Sequence, residues 1–320
     1  MRKLALGLVA LGALVLIWFA WGWYGSSAVD KETAFTVPDG ATLTSVASKL
    51  EQEGLVGSSS SFLLRAKILG SGDPVQRGEF AIPAGASGAT ILDTLQHGQV
   101  IRRFVTVPEG LPSIMIYEKL MAEPLLTGPI PVPAEGSVLP DTYDFERGEA
   151  RTRVLARMQA AMKNYLAEAW SKRKSGIAVS TPEQAVTLAS IVEKETGVAS
   201  ERRMVAGLYS NRVKQGMPLQ ADPTIIYPLT KGKPLGRRIR QSEIAAINGY
   251  NTYTMSGMPV GPITNPGRES IAAVLDPAPT QALYMVANGK GGHVFGNTLA
   301  EHNANVQRWF AIRRARGELD

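Results

Sequence analysis

Hydrophobic positions along this chain fall into three kinds of pattern. The first is an unbroken apolar run at residues 4–24, which follows the basic pair Arg2 and Lys3. About 20 apolar residues are enough to cross a bilayer as a helix, and aromatic side chains crowd the far end of this run. The pattern predicts a membrane anchor at 4–24 with residues 1–3 in the cytoplasm, because basic flanking residues stay on that side.

A cleaved signal peptide is the alternative interpretation of the same segment. Ser26, Ser27 and Ala28 follow the apolar run and would serve as a small-residue cleavage site. The run is longer than a usual signal core, so the uncleaved anchor is favoured. Both interpretations predict that the rest of the chain is exported.

The second pattern is a strand followed by a turn and an amphipathic helix, and it occurs three times. The copies begin as FTVPDG at Phe35, FAIPAG at Phe80 and VTVPEG at Val105. In each copy a β-rich segment ends at proline, a glycine permits the turn, and an apolar residue recurs at one interior helix position. These interior residues are Val46, Ile91 and Ile116. The repeat predicts β-α units, although coincidence could also produce three similar ones, and the pattern alone names no ligand.

The third pattern is a helix that starts at Pro182 and carries acids at its end. Thr181 and Gln184 resemble a capping box, proline suits the first helical position, and Gly197 is a stop signal. Further helices are predicted over 149–173, over 201–215 and from residue 299. The Pro- and Gly-rich stretch from residue 124 is predicted to be a loop or linker.

Two glutamates stand at the end of the 182–195 helix. At about 100° per residue, Glu195 lies on an apolar stripe and Glu193 points to a less apolar side. The stripe contains Leu188, Ile191 and Val192. Apolar surroundings and the helix dipole should both raise the pKa of Glu195, and a carboxyl group that stays protonated can act as a general acid in glycosidic cleavage. A structural glutamate paired with Arg202 or Arg203 explains the same residues equally well, and Glu193 is the rival for the catalytic role.

Composition narrows the classes of function. The 320 residues are 44% hydrophobic, which suffices for a membrane span plus one large or two modest domains. The chain has no cysteine, so disulfides and thiolate metal sites are excluded. The net charge of +6 suits an anionic polymer or membrane surface, but without a dense basic run or RNA-binding aromatic motif no nucleic acid is expected. The histidines show no metal-ligand spacing, and no metal or cofactor is predicted.

Longer stretches resemble the YceG-like (MltG) family of endolytic murein transglycosylases. They are LASIVEKETGVASERRMVAGLYSNRVKQGMPLQADPTIIY at 188–227, YNTYTMSGMPVGPITNPG at 250–267 and LYMVANGKGGHVFGNTLAEHN at 283–303, with VTVPEG and LPDTYDF upstream. The resemblance covers nearly the whole chain. The sequence departs from the family pattern at Ser137, where an aromatic residue is usual, and at Met258 and Val260. These departures concern the shape of a cleft and not the class of reaction.

The resemblance implies an α+β protein of three parts. After the anchor come a LysM-like extracytoplasmic region of β-α units at 30–145 and a mixed α/β catalytic domain with a helix-borne glutamate at 146–320. It implies a single-pass inner-membrane lyase, with its catalytic domain periplasmic or outside the cell, that cuts nascent peptidoglycan between N-acetylmuramic acid and N-acetylglucosamine and leaves 1,6-anhydro ends. Glycan strands and the inner membrane are the implied partners, and peptidoglycan synthases or division proteins are further candidates.

The same resemblance assigns the residues of the site. The second acid of the family's ExE motif corresponds to Glu195, the residue that the helical stripe also favours. Residues expected to bind substrate are Asn211, Gln220, Asp222, Tyr227, Tyr250, Asn251, Thr252 and Tyr253. Only some of these are expected to touch glycan while others fix loops, and Asp222 could instead orient the catalytic acid. A non-catalytic peptidoglycan-binding scaffold and a lysozyme-type hydrolase are the alternative functions.

Overall fold

The chain folds into two compact units. The structure is a computed structural model that describes residues 2–25 and 29–318. Unit 1 comprises Met1–Arg103 with Asp144–Gly148, and unit 2 comprises Phe104–Tyr143 with Glu149–Asp320. The small-residue segment 26–28, considered above as a cleavage site, lies outside the described residues.

The predicted anchor is a helix, α1 (Arg2–Tyr24). Its part Leu6–Tyr24 is long and apolar enough to cross a membrane. Most of its apolar side chains are exposed, but its last turn packs into unit 1. There Trp23 is 2% exposed, and its ring centroid lies 5.5 Å from that of Phe62. The end of the anchor is therefore part of a folded core.

Unit 1 is built from the first two strand–helix repeats. Its elements are β1 (Thr33–Val37), α2 (Leu43–Gln52), α3 (Ser59–Leu69), β2 (Gly78–Ile82) and α4 (Gly88–His97). The two strands pair antiparallel, and the register sets Phe35 opposite Phe80, both fully buried. The turn glycines Gly40 and Gly85 have φ of 72° and 70°, a left-handed conformation that favours glycine. The two repeats thus meet at equivalent residues.

The third repeat is also a strand and a helix, β3 (Arg103–Thr106) and α5 (Ser113–Ala122). Its turn residue Gly110 has φ of 71°, and Ile116 is fully buried. From Phe104 onwards this repeat belongs to unit 2, whereas the sequence predicts a boundary at residue 145. The pattern alone could not reveal this difference, because it reports local structure and not which core buries the helix.

The Pro- and Gly-rich stretch after α5 is irregular, as predicted, but it is a packed loop and not a linker. The guanidinium of Arg151 donates hydrogen bonds to four carbonyl oxygens, three at the end of α5 and one within the stretch. The acceptors belong to Leu120, Met121, Glu123 and Gly128. The amide of Asn265 also bridges the stretch, since it donates to Glu135 Oε1 and accepts from the N–H of Val138. Buried polar groups stabilise a fold when all of their hydrogen bonds are satisfied. The hydrogen bonds of Arg151 and Asn265 therefore hold this loop in place within unit 2.

Unit 2 is mainly helical. Its remaining elements are α6 (Arg151–Ser171), α7 (Pro182–Glu195), a 3-10 helix (Ala199–Glu201), α8 (Arg202–Lys214), α9 (Asp222–Thr230), α10 (Gln241–Ile244), α11 (Arg268–Leu275), β5 (Tyr284–Ala287), β6 (His293–Gly296) and α12 (Leu299–Ala315), with β4 (Thr142–Phe145) where the chain passes between the units. The predicted helices correspond to α6, α7, α8 and α12. The sequence from Met217, rich in Pro, Gly, Asn and Tyr, predicts loops and short strands up to α12, but the structure also has the helices α9, α10 and α11 there.

Helix α7 is the central element of unit 2 and packs against α6, α8, α9 and α11. Leu188 and Ile191 on the predicted stripe are fully buried. Val186 and Ala189, on the side expected to be less apolar, are buried as well. The helix is therefore buried nearly all round, and the two glutamates at its end differ in their contacts, not in the polarity of their helix faces.

Candidate active site

The ends of α7 are set by local sequence. Thr181 is the N-cap, and its hydroxyl accepts a hydrogen bond from the N–H of Gln184 at 3.2 Å. The amide of Gln184 reaches back to the N–H of Ser180 at 2.7 Å, one residue before the partner expected in a capping box. The helix ends at Glu195, whose carboxyl group therefore projects from the last turn into the space beyond it.

That space is a cavity of about 330 Å³ within unit 2. Its walls come from α7, α8, the segment before α9, the 250–253 loop, β5 and α12. The lining residues are Glu195, Leu208, Tyr209, Arg212, Leu219, Gln220, Asp222, Tyr253, Met285 and His302. Four residues predicted from the sequence meet here: Glu195, Gln220, Asp222 and Tyr253.

Glu195 is the acid with the most perturbed titration in this cavity. Burial and, after it, the negative charge of neighbouring Asp222 raise its pKa to about 7. A hydrogen bond from Tyr209 and the positive charge of Arg212 act in the opposite direction. The balance leaves a carboxyl group that carries its proton over much of the range up to neutral pH.

Tyr209 is the partner of this acid on α8. It is 2% exposed, and burial raises the pKa of its hydroxyl well above the ordinary value, so it remains a donor. Its hydroxyl is hydrogen-bonded to the carboxyl of Glu195. Because α7 and α8 pack side by side, this bond is held by the core.

Asp222 and Gln220 enter the cavity from the segment that leads into α9. Asp222 lies in the first turn of α9, and its Oδ1 accepts a hydrogen bond of 2.6 Å from the hydroxyl of Tyr253. Gln220 has φ of 53°, which is unusual for a residue with a side chain. It is held there by its N–H bond to the carbonyl of Thr252 at 3.0 Å and by Arg212 Nη1, which donates to its Oε1 at 3.2 Å. Both side chains present polar atoms to the cavity.

Arg212 is a cavity residue that the sequence reading missed. It is only 7% exposed, and its guanidinium donates to the carbonyl oxygens of Leu283, Pro218 and Leu219 at 2.6–3.0 Å. It also lies over the ring of Tyr284, 5.2 Å from the centroid. In the sequence Arg212 stands beside the predicted site residue Asn211. No pattern in the neighbouring residues shows that its guanidinium bonds to the carbonyls of Pro218 and Leu283.

His302 and Met285 also line the cavity and were not singled out. The imidazole of His302 stacks on Tyr284, with centroids 5.1 Å apart. Burial lowers the pKa of His302, and the charge of Arg212 lowers it further, so the ring is neutral at neutral pH. Among the residues that the structure describes, no partner lies within hydrogen-bond reach of its buried Nδ1.

Three of the predicted substrate-binding residues lie outside the cavity and bond to the protein itself. Asn211 donates to the carbonyls of Thr280 and Ala282. Asn251 and Thr252 are fully buried. Asn251 donates to three carbonyls of residues 243–246, and the hydroxyl of Thr252 bonds to that of Thr224 at 2.8 Å. The contacts of Asn251 and Thr252 fix the loops that carry Gln220 and Tyr253.

Tyr227 and Tyr250 form a separate pair. Their ring centroids lie 4.7 Å apart, and Tyr227 is hydrogen-bonded to the carboxyl group of Glu135. Burial and the charge of Glu135 raise the pKa of Tyr227, and burial raises the pKa of Glu135. Neither tyrosine is among the residues that line the cavity of Glu195.

The rival residues have other partners. Glu193 Oε2 accepts a hydrogen bond from the N–H of Gly267 at 2.9 Å, at the start of α11. The nearest carboxylate of Arg202 is that of Glu109 at 3.9 Å, and Arg203 pairs with Asp276 at 3.1 Å. The ion pairs of these two arginines are thus with Glu109 and Asp276 and not with Glu195. Within residues 2–25 and 29–318, no three His, Asp or Glu side chains gather as metal ligands.

A carboxyl group with a raised pKa, set in a polar cleft beside a second carboxylate, defines a protein equipped for general acid–base chemistry. The YceG-like family profile matches residues 35–308, and the chain belongs to this family.

Known relatives agree with this assignment. The chain is 27% identical over 329 residues to the endolytic murein transglycosylase of Bacillus subtilis strain 168, covering 91% of this chain and 90% of the relative. It is 28% identical to the endolytic murein transglycosylase of Streptococcus pneumoniae strain D39, covering 84% of this chain but only 57% of that protein. The crystal structure of a yceG-like protein from Listeria monocytogenes has the same fold, with a TM-score of 0.52 at 24% identity, covering 86% of this chain and 99% of that one.

Proposed function

We propose that this chain is a membrane-anchored endolytic lytic transglycosylase of peptidoglycan. It cleaves nascent glycan strands between N-acetylmuramic acid and N-acetylglucosamine, leaves 1,6-anhydro-muramic ends and so ends strand elongation. The observation that carries the proposal is Glu195, a cavity carboxyl group whose pKa is raised to about 7 by burial and by the charge of Asp222. Such a group can give a proton to a leaving oxygen and take one back at the same pH.

One residue then suffices for both proton transfers. Glu195 protonates the glycosidic oxygen as its bond to C1 of muramic acid breaks. The resulting carboxylate removes the proton from the C6 hydroxyl of the same sugar, and that oxygen forms a new bond to C1. No water is consumed, so the product end is a cyclic 1,6-anhydro sugar. Tyr209 and Arg212 assist the first step, because both interactions lower the pKa of Glu195 and so stabilise the carboxylate that is left once the proton has been given.

Substrate contacts are proposed for the polar residues that share the cavity with Glu195. Gln220 and Asp222 offer amide and carboxylate groups to sugar hydroxyls. Tyr253 adds an aromatic face and a hydroxyl already bonded to Asp222. Tyr227 and Tyr250 remain candidates for a more distant part of the glycan, and Asn211, Asn251 and Thr252 act through the loops they hold.

Unit 1 is proposed to bind glycan as a LysM-like region. A groove of about 670 Å³ lies between the turn after β1 and the segment after α3. Thr42, Thr44 and Asp73 place polar groups along it, and Leu43 and Leu63 supply apolar surface. Hydrogen-bonding groups beside apolar contacts are the surface that a sugar chain requires.

The proposed location is the cell inner membrane, with α1 as a single span, the N-terminus cytoplasmic and both units extracytoplasmic. The basic pair before the span and the aromatic belt at its far end support this orientation. Peptidoglycan synthases and division proteins are the candidate protein partners in that compartment.

A lysozyme-type hydrolase is the second candidate, because Asp222 is another carboxylate in the same cavity. Two carboxylates can activate water for hydrolysis, which would leave a reducing muramic acid end. Digestion of uncrosslinked glycan strands and mass spectrometry of the products separates the possibilities. Anhydro-muramic ends support the proposal, reducing ends support the hydrolase, and intact strands support a non-catalytic scaffold.

A further inference from the structure

Helix α3 of unit 1 is fastened to the end of the membrane span. Arg65 Nε donates a hydrogen bond of 3.2 Å to the carbonyl oxygen of Phe19. Its guanidinium lies 5.5 Å from the ring centroid of Trp18 and 5.4 Å from that of Phe19. The same group occupies the space beside Gly22, where an added Cβ would come within 2.5 Å of it. These contacts fix α3 against the last two turns of α1.

The level of these contacts along the span follows from helix geometry. The 19 residues of Leu6–Tyr24 extend over about 28 Å, which only just matches a hydrocarbon core of about 30 Å. Phe19 lies roughly 7 Å before the end of that span along the helix axis. The end of α1 therefore lies at the outer boundary of the bilayer, where Trp23 packs into unit 1, and Phe19 with the α3 surface beside it lies roughly 7 Å below that end.

The surface of α3 on this side is apolar and uncovered. Leu64 is 53% exposed and Ile68 is 60% exposed, and at spacing i, i+4 they share one face. On a helical wheel Ile68 lies about 60° from Arg65 and Leu64 about 100° in the same direction, whereas the buried Phe62 lies about 60° from Arg65 in the opposite direction. The exposed pair thus flanks the side of α3 that meets the span.

We propose that the face of α3 formed by Leu64 and Ile68 rests in the outer headgroup region of the bilayer that α1 crosses. This inference relies on the anchoring proposed above. The two apolar side chains enter the boundary between headgroups and acyl chains, Arg65 keeps its stem in the apolar zone, and exposed Lys67 meets anionic headgroups.

Docking of α3 would also hold the groove of unit 1 close to the lipid. Leu63 and Lys67 belong to α3 and line that groove. An α-helix with its side chains is about 10 Å across, so the groove would open within roughly that distance of the membrane surface. Unit 1 would then meet glycan strands where they leave the membrane.

The test uses the full-length chain in vesicles of phosphatidylethanolamine and phosphatidylglycerol. Because the chain has no cysteine, single-cysteine variants Leu64→Cys and Ile68→Cys can each carry one fluorophore. Ser48→Cys, on an exposed position of α2, is the matched control within unit 1, and Leu11→Cys reports the span itself. Spin-labelled lipids with the label near the headgroup or near the chain end quench each fluorophore according to its depth.

The proposal predicts several-fold stronger quenching at 64 and 68 than at 48 by the headgroup-level label, and quenching at 11 by the deep label. Quenching at 11 with signals at 64 and 68 equal to that at 48 would overturn the docking while leaving the anchor intact. Absence of quenching at 11 would refute the anchor instead. Positions 64 and 68 protected from aqueous iodide yet unquenched by lipid would mean that a protein surface covers them, which also overturns the proposal.

Discussion

The hydroxyl of Tyr209 and the carboxyl of Glu195 share a hydrogen bond between the packed helices α8 and α7. This bond stabilises the carboxylate, whereas burial and the charge of Asp222 stabilise the protonated acid. The pKa of about 7 is the result of this opposition. The hydrogen bond of Tyr209 and the charge of Asp222 come from different side chains, so each can be removed separately and its sign checked.

The first prediction concerns Tyr209→Phe. Loss of the hydrogen bond removes a stabilising contact to the carboxylate, so the pKa of Glu195 rises. The alkaline limb of the kcat/KM profile should move to higher pH by roughly one unit, since a hydrogen bond to a charged group is worth about 1.5 kcal/mol or more. Tyr165→Phe is the matched control, because its hydroxyl bonds to the carbonyl of Arg268 outside the cavity. A limb that stays in place or moves to lower pH contradicts the assignment.

Asp222→Asn should move the same limb in the opposite direction. Removal of the neighbouring negative charge makes ionisation of Glu195 easier, so its pKa falls and activity is lost at lower pH. The amide can still accept the hydrogen bond of Tyr253, which limits the structural change. The pH profile of kcat/KM measures the shift, and Asp276→Asn, which removes a carboxylate at the end of α11, should leave it unchanged.

The pKa of Glu195 also predicts a dependence of stability on pH. In the folded protein its pKa is raised from 4.5 to about 7. Between these two pH values the unfolded chain loses the proton while the folded protein keeps it, so the free energy of unfolding falls as the pH rises and levels off above about pH 7. Glu195→Gln should therefore be more stable than the wild type at pH 8 by on the order of 3 kcal/mol, and the difference should vanish below about pH 4.5. Denaturant unfolding at several pH values measures this difference. Equal stabilities at pH 8 would contradict the raised pKa.

Glu193→Ala should affect the fold instead of the chemistry. The N–H of Gly267 loses its acceptor at the start of α11, which costs about 1–3 kcal/mol. We expect a lower Tm with the same cleavage product. Loss of cleavage in a variant that remains folded at the assay temperature would show that Glu193 takes part in the reaction.

The sequence predicted those helices and strands whose ends are set by neighbouring residues. The cap at Thr181 and Pro182 set the start of α7, and the shared Pro–Gly spacing predicted the repeats whose phenylalanines meet at Phe35 and Phe80. Helix α9 was missed because Pro223 and Pro228 argue against a helix, yet Pro223 lies in its first turn, where proline is tolerated.

The candidate site was predicted only in part because several of its contacts are distant in sequence. Helical periodicity favoured Glu195 over Glu193, but α7 is buried nearly all round, so the polarity of the helix faces does not separate the two glutamates. Arg212 donates to the carbonyl of Leu283, and His302 stacks on Tyr284. Neither contact of Arg212 or His302 with the cavity wall can therefore be predicted from the residues beside it in the sequence. Thr252 is fully buried, whereas Tyr253 lines the cavity. The sequence does not distinguish these two adjacent polar residues.

The most direct test compares wild type, Glu195→Gln and Glu193→Gln in digestion of uncrosslinked glycan strands, with products identified by mass spectrometry. Glutamine keeps the shape of each side chain but cannot give and retake a proton. Circular dichroism of each variant confirms that it is folded. The account predicts 1,6-anhydro-muramic ends from the wild type and from Glu193→Gln, and none from Glu195→Gln. Anhydro ends from a folded Glu195→Gln protein would contradict it.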